Sequence, residues 1–138
     1  MISDRLEALA RALVAMREKI PWLIVELPVR LRNTSNARDG WRATAKRAKA
    51  VRALSRKLTA NAIALDGNLI QLPLVVRLVY IGPRQLDDDG VASALKSLRD
   101  GVADALGVDD RDQRVVWVPD QERGGVREYG ARVEIYLG

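Results

Sequence analysis

The sequence predicts a small α/β domain of the α+β kind, a mixed sheet with flanking helices. Three observations predict it. Segments of helical and of strand-like periodicity follow one another in the order α, β, α, β, α, β, β. The strand-like segments WLIVELPVRLR, LPLVVRLVYI, RVVWVPDQ and VREYGARVEIYL are rich in β-branched residues. The chain has 138 residues, nearly half of them apolar, and no interior linker, internal repeat or low-complexity tract. That is enough material for one core. Residues 1–21 are expected as a helical extension and 22–138 as a single domain.

The elements are justified in order. Ile2, Leu6, Leu9, Leu13, Met16 and Ile20 fall at steps of four and three, which makes one apolar stripe on a helix over 2–20. Ser3 or Asp4 can cap its start, and Pro21 ends it. The stripe suits packing on the domain or, alternatively, a short helix–helix contact with a second copy. Residues 22–32 read as a strand with Pro28 at an edge or a break. NTSNARDG (33–40) is a polar loop of turn formers.

A helix follows from about 41 to 62, with Trp41, Ala45, Ala48, Val51, Leu54 and Leu58 on one side. Trp41 is expected in the core, as an apolar anchor, although a tryptophan at the start of a basic helix can also stack on a base. LDGN (65–68) is a turn, and residues 72–81 are a strand. GPRQLDDDG is a loop leading to a helix over 91–106, where Val91, Leu95, Leu98, Val102 and Leu106 recur at helical spacing and Gly107 suits a C-cap. Strands at 114–121 and 126–137 are expected to form a hairpin across Glu122–Gly125.

Composition excludes several chemistries. The chain has no cysteine and no histidine, so disulfides, thiolate zinc sites, imidazole ligands and histidine-based nucleophilic sites are all ruled out. Hydrolysis would have to rest on carboxylates, lysine, hydroxyls or a metal held by oxygen, for which Mg²⁺ or Mn²⁺ suits better than zinc. The net charge is +5 and the isoelectric point about 10.0, which points to an acidic partner such as nucleic acid. No apolar run approaches a membrane span. The charged N-terminal stretch is unlike a secretory signal, so a cytoplasmic location is expected.

Two patches of opposite sign stand out. Between Arg30 and Lys57, ten basic residues and the single acid Asp39 give a local charge of +9. Arg42, Lys46, Lys49 and Arg56 lie largely on the face of the helix opposite its apolar stripe. Nothing within that helix pairs them, and a helix that tolerates such repulsion suits phosphates. Between Asp87 and Asp112, eight aspartates face Lys96, Arg99 and Arg111. An extended Leu86–Asp89 would send Asp87 and Asp89 to one side and Asp88 to the other. One aspartate suffices to cap the helix; three repel one another, and a divalent cation would relieve that. Asp89, Ser93, Lys96 and Asp100 follow at helical steps on one face. Asp109 and Asp110 come after the far end of this helix, so only the fold or a second subunit could bring them to Asp87.

RQLDDDGVASALKSLRDGVADALGVDDRDQRVVWVPDQERGG, followed by ARVEIYL, resembles the RusA family of Holliday junction resolvases, especially its phage and prophage members. The resemblance runs from about Leu72 to Leu137, and LPVRLRNTSNAR near 27–38 is similar to an early segment of the phage-type members. It implies a small homodimeric, Mg²⁺-dependent endonuclease that cuts four-way DNA junctions or other branched DNA. The matching residues would be Asp87, Asp89 and Asp110 as metal-binding acids, with Lys96 supporting catalysis or DNA contact. Asp100 and Asp109 stand beside them in the pattern. Two positions depart from the family: Gly90 stands where it usually has asparagine, and Lys96 lies seven residues beyond Asp89 where the best-known member has four. Phage-type members share the longer spacing. Two rival expectations are a catalytically weak junction-binding protein on the same fold and a structural α/β protein that binds another protein.

Overall fold

The computed structural model describes residues 4–18, 20–32 and 40–138. The polar loop expected over 33–40 falls, except for Gly40, outside the described residues, as do Ile2 and Ser3. Seven elements follow in chain order: α1 (Asp4–Glu18), β1 (Leu23–Leu27), α2 (Gly40–Asp66), β2 (Leu74–Gly82), α3 (Asp88–Leu106), β3 (Val115–Arg123) and β4 (Gly130–Leu137). The expected small α+β architecture is what the chain adopts.

The four strands form one mixed sheet in the order β1-β4-β2-β3. β4 is antiparallel to both β1 and β2, while β2 and β3 run parallel with Leu74 opposite Val115. The hairpin expected between β3 and β4 is therefore not formed: these strands flank β2 on opposite sides. The reason is in β2. LVVRLVYIG is almost wholly buried along its length, and a strand covered on both faces sits in a sheet interior, with neighbours at both edges. β3 reaches one edge through the α3 crossover. The chain then passes the end of β2, where the Gly124 N–H donates to the Gly82 carbonyl at 2.8 Å, and returns as β4. β1 stops at Pro28, which has no N–H to give a ladder, and it is an edge strand.

One face of the sheet holds the main core. Leu74, Val76, Leu78, Val133 and Ile135 pack with Leu95, Leu98, Val102 and Leu106 of α3, and Val51, Leu54 and Leu58 of α2 join them. The apolar stripes read from helical spacing thus face the core over most of α3 and the second half of α2. Trp41 does not: it is 75% exposed. The first turns of α2 face the polar side of α3, at Ser93, Lys96, Ser97 and Asp100, and the core contacts of α2 begin at Val51, so Trp41 stays outside the core.

The opposite face is of a different kind. Val75, Val118 and Tyr136 form a smaller apolar patch with Met16 of α1 and Val116. Leu6, Leu9, Leu13 and Val14 of α1 remain exposed. Beside the patch lies an ion network. Arg77 donates to Asp120 at 2.7 and 2.9 Å and to Glu134 at 2.9 Å. Arg132 donates to Glu134 at 2.8 Å and also bonds Glu122. Burial alone would raise the Glu134 carboxyl, but its hydrogen bonds from Tyr136 and Arg132 and the charge of Arg77 hold it below its ordinary range. A buried carboxylate is tolerated because it is so fully bonded.

Tyr136 donates to Glu134 at 2.6 Å. Burial first, and then this bond to a carboxylate, push its phenol up to about 12. A raised phenol pKa stabilises the fold at pH below the unfolded value near 10, and that contribution is lost as pH rises from there toward 12. In an ultraviolet phenolate titration Tyr136 should ionise last, and Tyr136→Phe should remove that final phase. A final phase unchanged in the variant would refute the assignment.

Candidate nucleic-acid interface and acidic site

The stretch RQLDDDG enters α3 under tight local control. Gln121 of β3 clamps it: its side-chain carbonyl accepts from the Leu86 N–H at 2.9 Å, and its amide donates to the Leu86 carbonyl at 2.8 Å. Asp87 is extended and caps the helix, its Oδ1 accepting from the Gly90 N–H at 2.6 Å. Asp88 and Asp89 already belong to the first turn of α3. The extended Leu86–Asp89 expected from the sequence is thus corrected. The capping bond starts the helix three residues earlier than Val91, and Asp88 and Asp89 follow helical, not two-residue, geometry. All three carboxylates are exposed at a helix N-terminus, where negative charge is favoured. Gly90 is buried and offers only its backbone to the site.

The next turns present the face expected from spacing. Ser93, Lys96 and Asp100, with Ser97, form one wall of an open cleft of about 680 Å³. The start of α2 forms the other, through Trp41, Thr44, Ala45 and Ala48. Lys96 is exposed, and no ion pair joins it to Asp100 among the described residues.

The two helices meet beyond the cleft. A Cβ placed on Gly101 would lie 2.4 Å from the Arg52 carbonyl oxygen and 2.6 Å from the Ser55 Cβ. Ser55 donates to the Leu98 carbonyl at 2.8 Å. Arg52 binds Asp104 with two bonds of 2.8 and 2.9 Å. The Arg52 hydrogen bond holds the Asp104 carboxyl below its ordinary range. The pair is solvated, so it orients the helices more than it stabilises them.

The cations named from the sequence, Arg42, Lys46, Lys49 and Arg56, are all exposed along one side of α2. They flank the strip that walls the cleft. α2 carries seven basic residues and one acid, Asp66. That acid is at the far end, where Trp22 donates to it at 2.9 Å.

At the other end of α3, Gly107 takes the left-handed conformation with φ 69° and ends the helix. Asp109 accepts from the Arg111 N–H at 2.8 Å, the main cause of its lowered pKa. Asp112 is spent on Arg114: the side-chain bonds, and then the backbone N–H, bring it down to about 2. Asp110 is exposed, and its carbonyl accepts from Arg99 at 2.8 Å. The Arg99 guanidinium lies 5.1 Å from the Trp117 ring centre.

The fold therefore brings Asp87 and Asp89 together in one turn, whereas Asp110 comes in the loop after the 19-residue helix, and that loop folds back so that the Asp110 carbonyl meets Arg99 in the middle of α3. Among the described residues, no three acids converge on a point that could hold a metal. Gln121 and Arg99, which fix the two acidic loops, were not read from the sequence. Their partners are backbone groups 35 and 11 residues away, and no local pattern signals such a bond.

No protein-family model matches the chain, and no curated protein matches it. The fold and the site define a small α+β domain in which a cation-rich helix and a carboxylate-bearing helix wall one cleft. None of the described helices is long and apolar enough to cross a membrane.

Proposed function

We propose that the protein is a metal-dependent endonuclease acting on branched DNA, four-way junctions among its substrates. The observation that carries this reading is the common cleft. α2 carries exposed cations beside the strip that walls it, and α3 brings Lys96 and Asp100 to its other wall, with Asp87, Asp88 and Asp89 at the start of the same helix. The likeness of residues 72–137 to RusA resolvases supports it. Arg42, Lys46, Lys49 and Arg56 would hold phosphates, and Lys96 would neutralise charge developing on the phosphodiester. Asp87, Asp89 and Asp110 are hard oxygen donors of the kind Mg²⁺ or Mn²⁺ takes. When bound, the ion supplies Lewis-acid activation of the phosphodiester and of water.

One chain does not gather these three acids, so the reading requires a homodimer. A second copy with α3 reversed would set its Asp110 beside Asp87 and Asp89 of the first. The exposed Leu6, Leu9 and Leu13 of α1, at steps of three and four, offer apolar surface for such a contact. A two-fold dimer also suits a branched substrate with matched scissile bonds. A cytoplasmic setting in a bacterial host, with a phage or prophage origin, goes with this reading.

The test is junction cleavage with Mg²⁺. Asp89→Asn should lose roughly 100-fold or more in rate while binding the junction. Binding should weaken steeply with salt. Cutting that survives the substitution would sink the assignment. A second reading, junction binding without cutting, is favoured by the buried Gly90, which brings no side-chain amide. It predicts bound junction and no product at any Mg²⁺ or Mn²⁺ concentration.

A further inference from the structure

We infer that the cleft between α2 and α3 receives an unpaired nucleobase, with Trp41 as its stacking platform. This rests on the proposed DNA contact and adds what that contact recognises.

Burying apolar surface is favourable, and a tryptophan presents more of it than any other side chain. Trp41 nevertheless stands 75% exposed. It lines an open cleft large enough, at about 680 Å³, for a flat heterocycle. Arg42 stands over its ring, with the guanidinium 5.3 Å from the ring centre. That arrangement keeps a cation beside the indole and draws a phosphate to the same place. Behind Trp41 the wall is made of Ala45 and Ala48, too small to fill the space. Across it, Ser97 and Asp100 offer a donor and an acceptor for the edge of a base.

The surroundings choose among occupants. Lys46 and Lys49, on the neighbouring side of α2, are exposed cations. An apolar peptide gains nothing from them, whereas a nucleotide needs both a stacking surface and a place for its phosphates. A paired base presents no open face. The cleft thus favours a base already out of its stack, as at a bulge, a nick or the centre of a branch.

The experiment measures binding without divalent metal, so no cutting intervenes. Fluorescence anisotropy follows a fully paired duplex, the same duplex with one unpaired thymine, and the same with an abasic residue in place of that thymine. Wild type should bind the unpaired thymine about tenfold tighter than either of the others. Trp41→Phe should keep most of that preference. Trp41→Ala should abolish it while leaving paired-duplex affinity in place. Equal affinity for the three probes, or a preference that survives Trp41→Ala, would overturn the inference and leave the DNA reading standing. Absence of salt-sensitive binding to every probe would overturn both. Dissociation of a dimer by Trp41→Ala would assign the cleft to a second copy and overturn the inference as well.

Discussion

A refolded equimolar mixture of Asp89→Asn and Asp110→Asn proteins is expected to nick junction DNA that neither variant cuts alone. The expectation follows from where α3 puts its acids. Asp87 and Asp89 stand at its start and Asp110 in the loop that folds back from its end onto Arg99, and no three acids converge among the described residues. If the proposed site takes Asp87 and Asp89 from one protomer and Asp110 from the other, each homodimer of variants has two defective sites. A mixed dimer has one site with both defects and one with none. Random exchange makes half of the dimers mixed, so about a quarter of the wild-type sites should return. They should return as nicks, because no dimer then has two working sites. If one chain supplied all three acids, every site in the mixture would still carry a defect. A dead mixture with confirmed subunit exchange would therefore exclude the shared site.

The second large effect concerns the contact between the helices. Gly101→Ala should destabilise the fold by about 2–3 kcal/mol, a fall in Tm of roughly 10 °C. Helix propensity alone predicts the opposite, since alanine in an exposed helix interior gains about 1 kcal/mol over glycine. Here the added methyl would meet the Arg52 carbonyl oxygen at 2.4 Å and the Arg56 backbone nitrogen at 2.9 Å. Backbone cannot turn aside as a flexible side chain can, so α2 and α3 must separate. Separation strains the Ser55 bond to Leu98 and opens the core around Leu98, which is fully buried. Arg52→Ala is the control: it removes a solvated ion pair from the same contact and should leave Tm nearly unchanged. Wild-type thermal stability in Gly101→Ala would show that the helices have slack the geometry denies.

Much of this was legible in the sequence because it is local. The stripe from Val91 to Leu106 is set by a period of 3.6 and needs no knowledge of the fold. So does the placing of Ser93, Lys96 and Asp100 on one side, and the ending of α3 at Gly107. The misreadings share a different cause. Strands β3 and β4 follow each other closely, and proximity in sequence suggested a hairpin. What decided their pairing was β2, whose two covered faces demand two neighbours. Trp41 fits the apolar stripe of α2, but a stripe does not say which side of α3 its first turns will meet. Asp88 and Asp89 read as extended until the Asp87 cap is seen to start the helix early. Arg77, Arg132 and Glu134 alternate with apolar residues, and nothing local pairs all three. Only the register of three strands shows that they neutralise one another.

The strand order also sets a timetable. β4 comes last among the described elements, yet it lies between β1 and β2 and is the one strand that β1 pairs with. On a growing chain, β2, α3 and β3 can assemble as soon as they are made, because their contacts are close in sequence. β1 must wait more than a hundred residues, from Leu23 to Ile135, for its partner. Until then its backbone and one edge of β2 stay open to any other extended chain. The nascent protein therefore carries its greatest risk of mispairing in the interval between β2 and β4, and the arrival of β4 closes both edges in a single step.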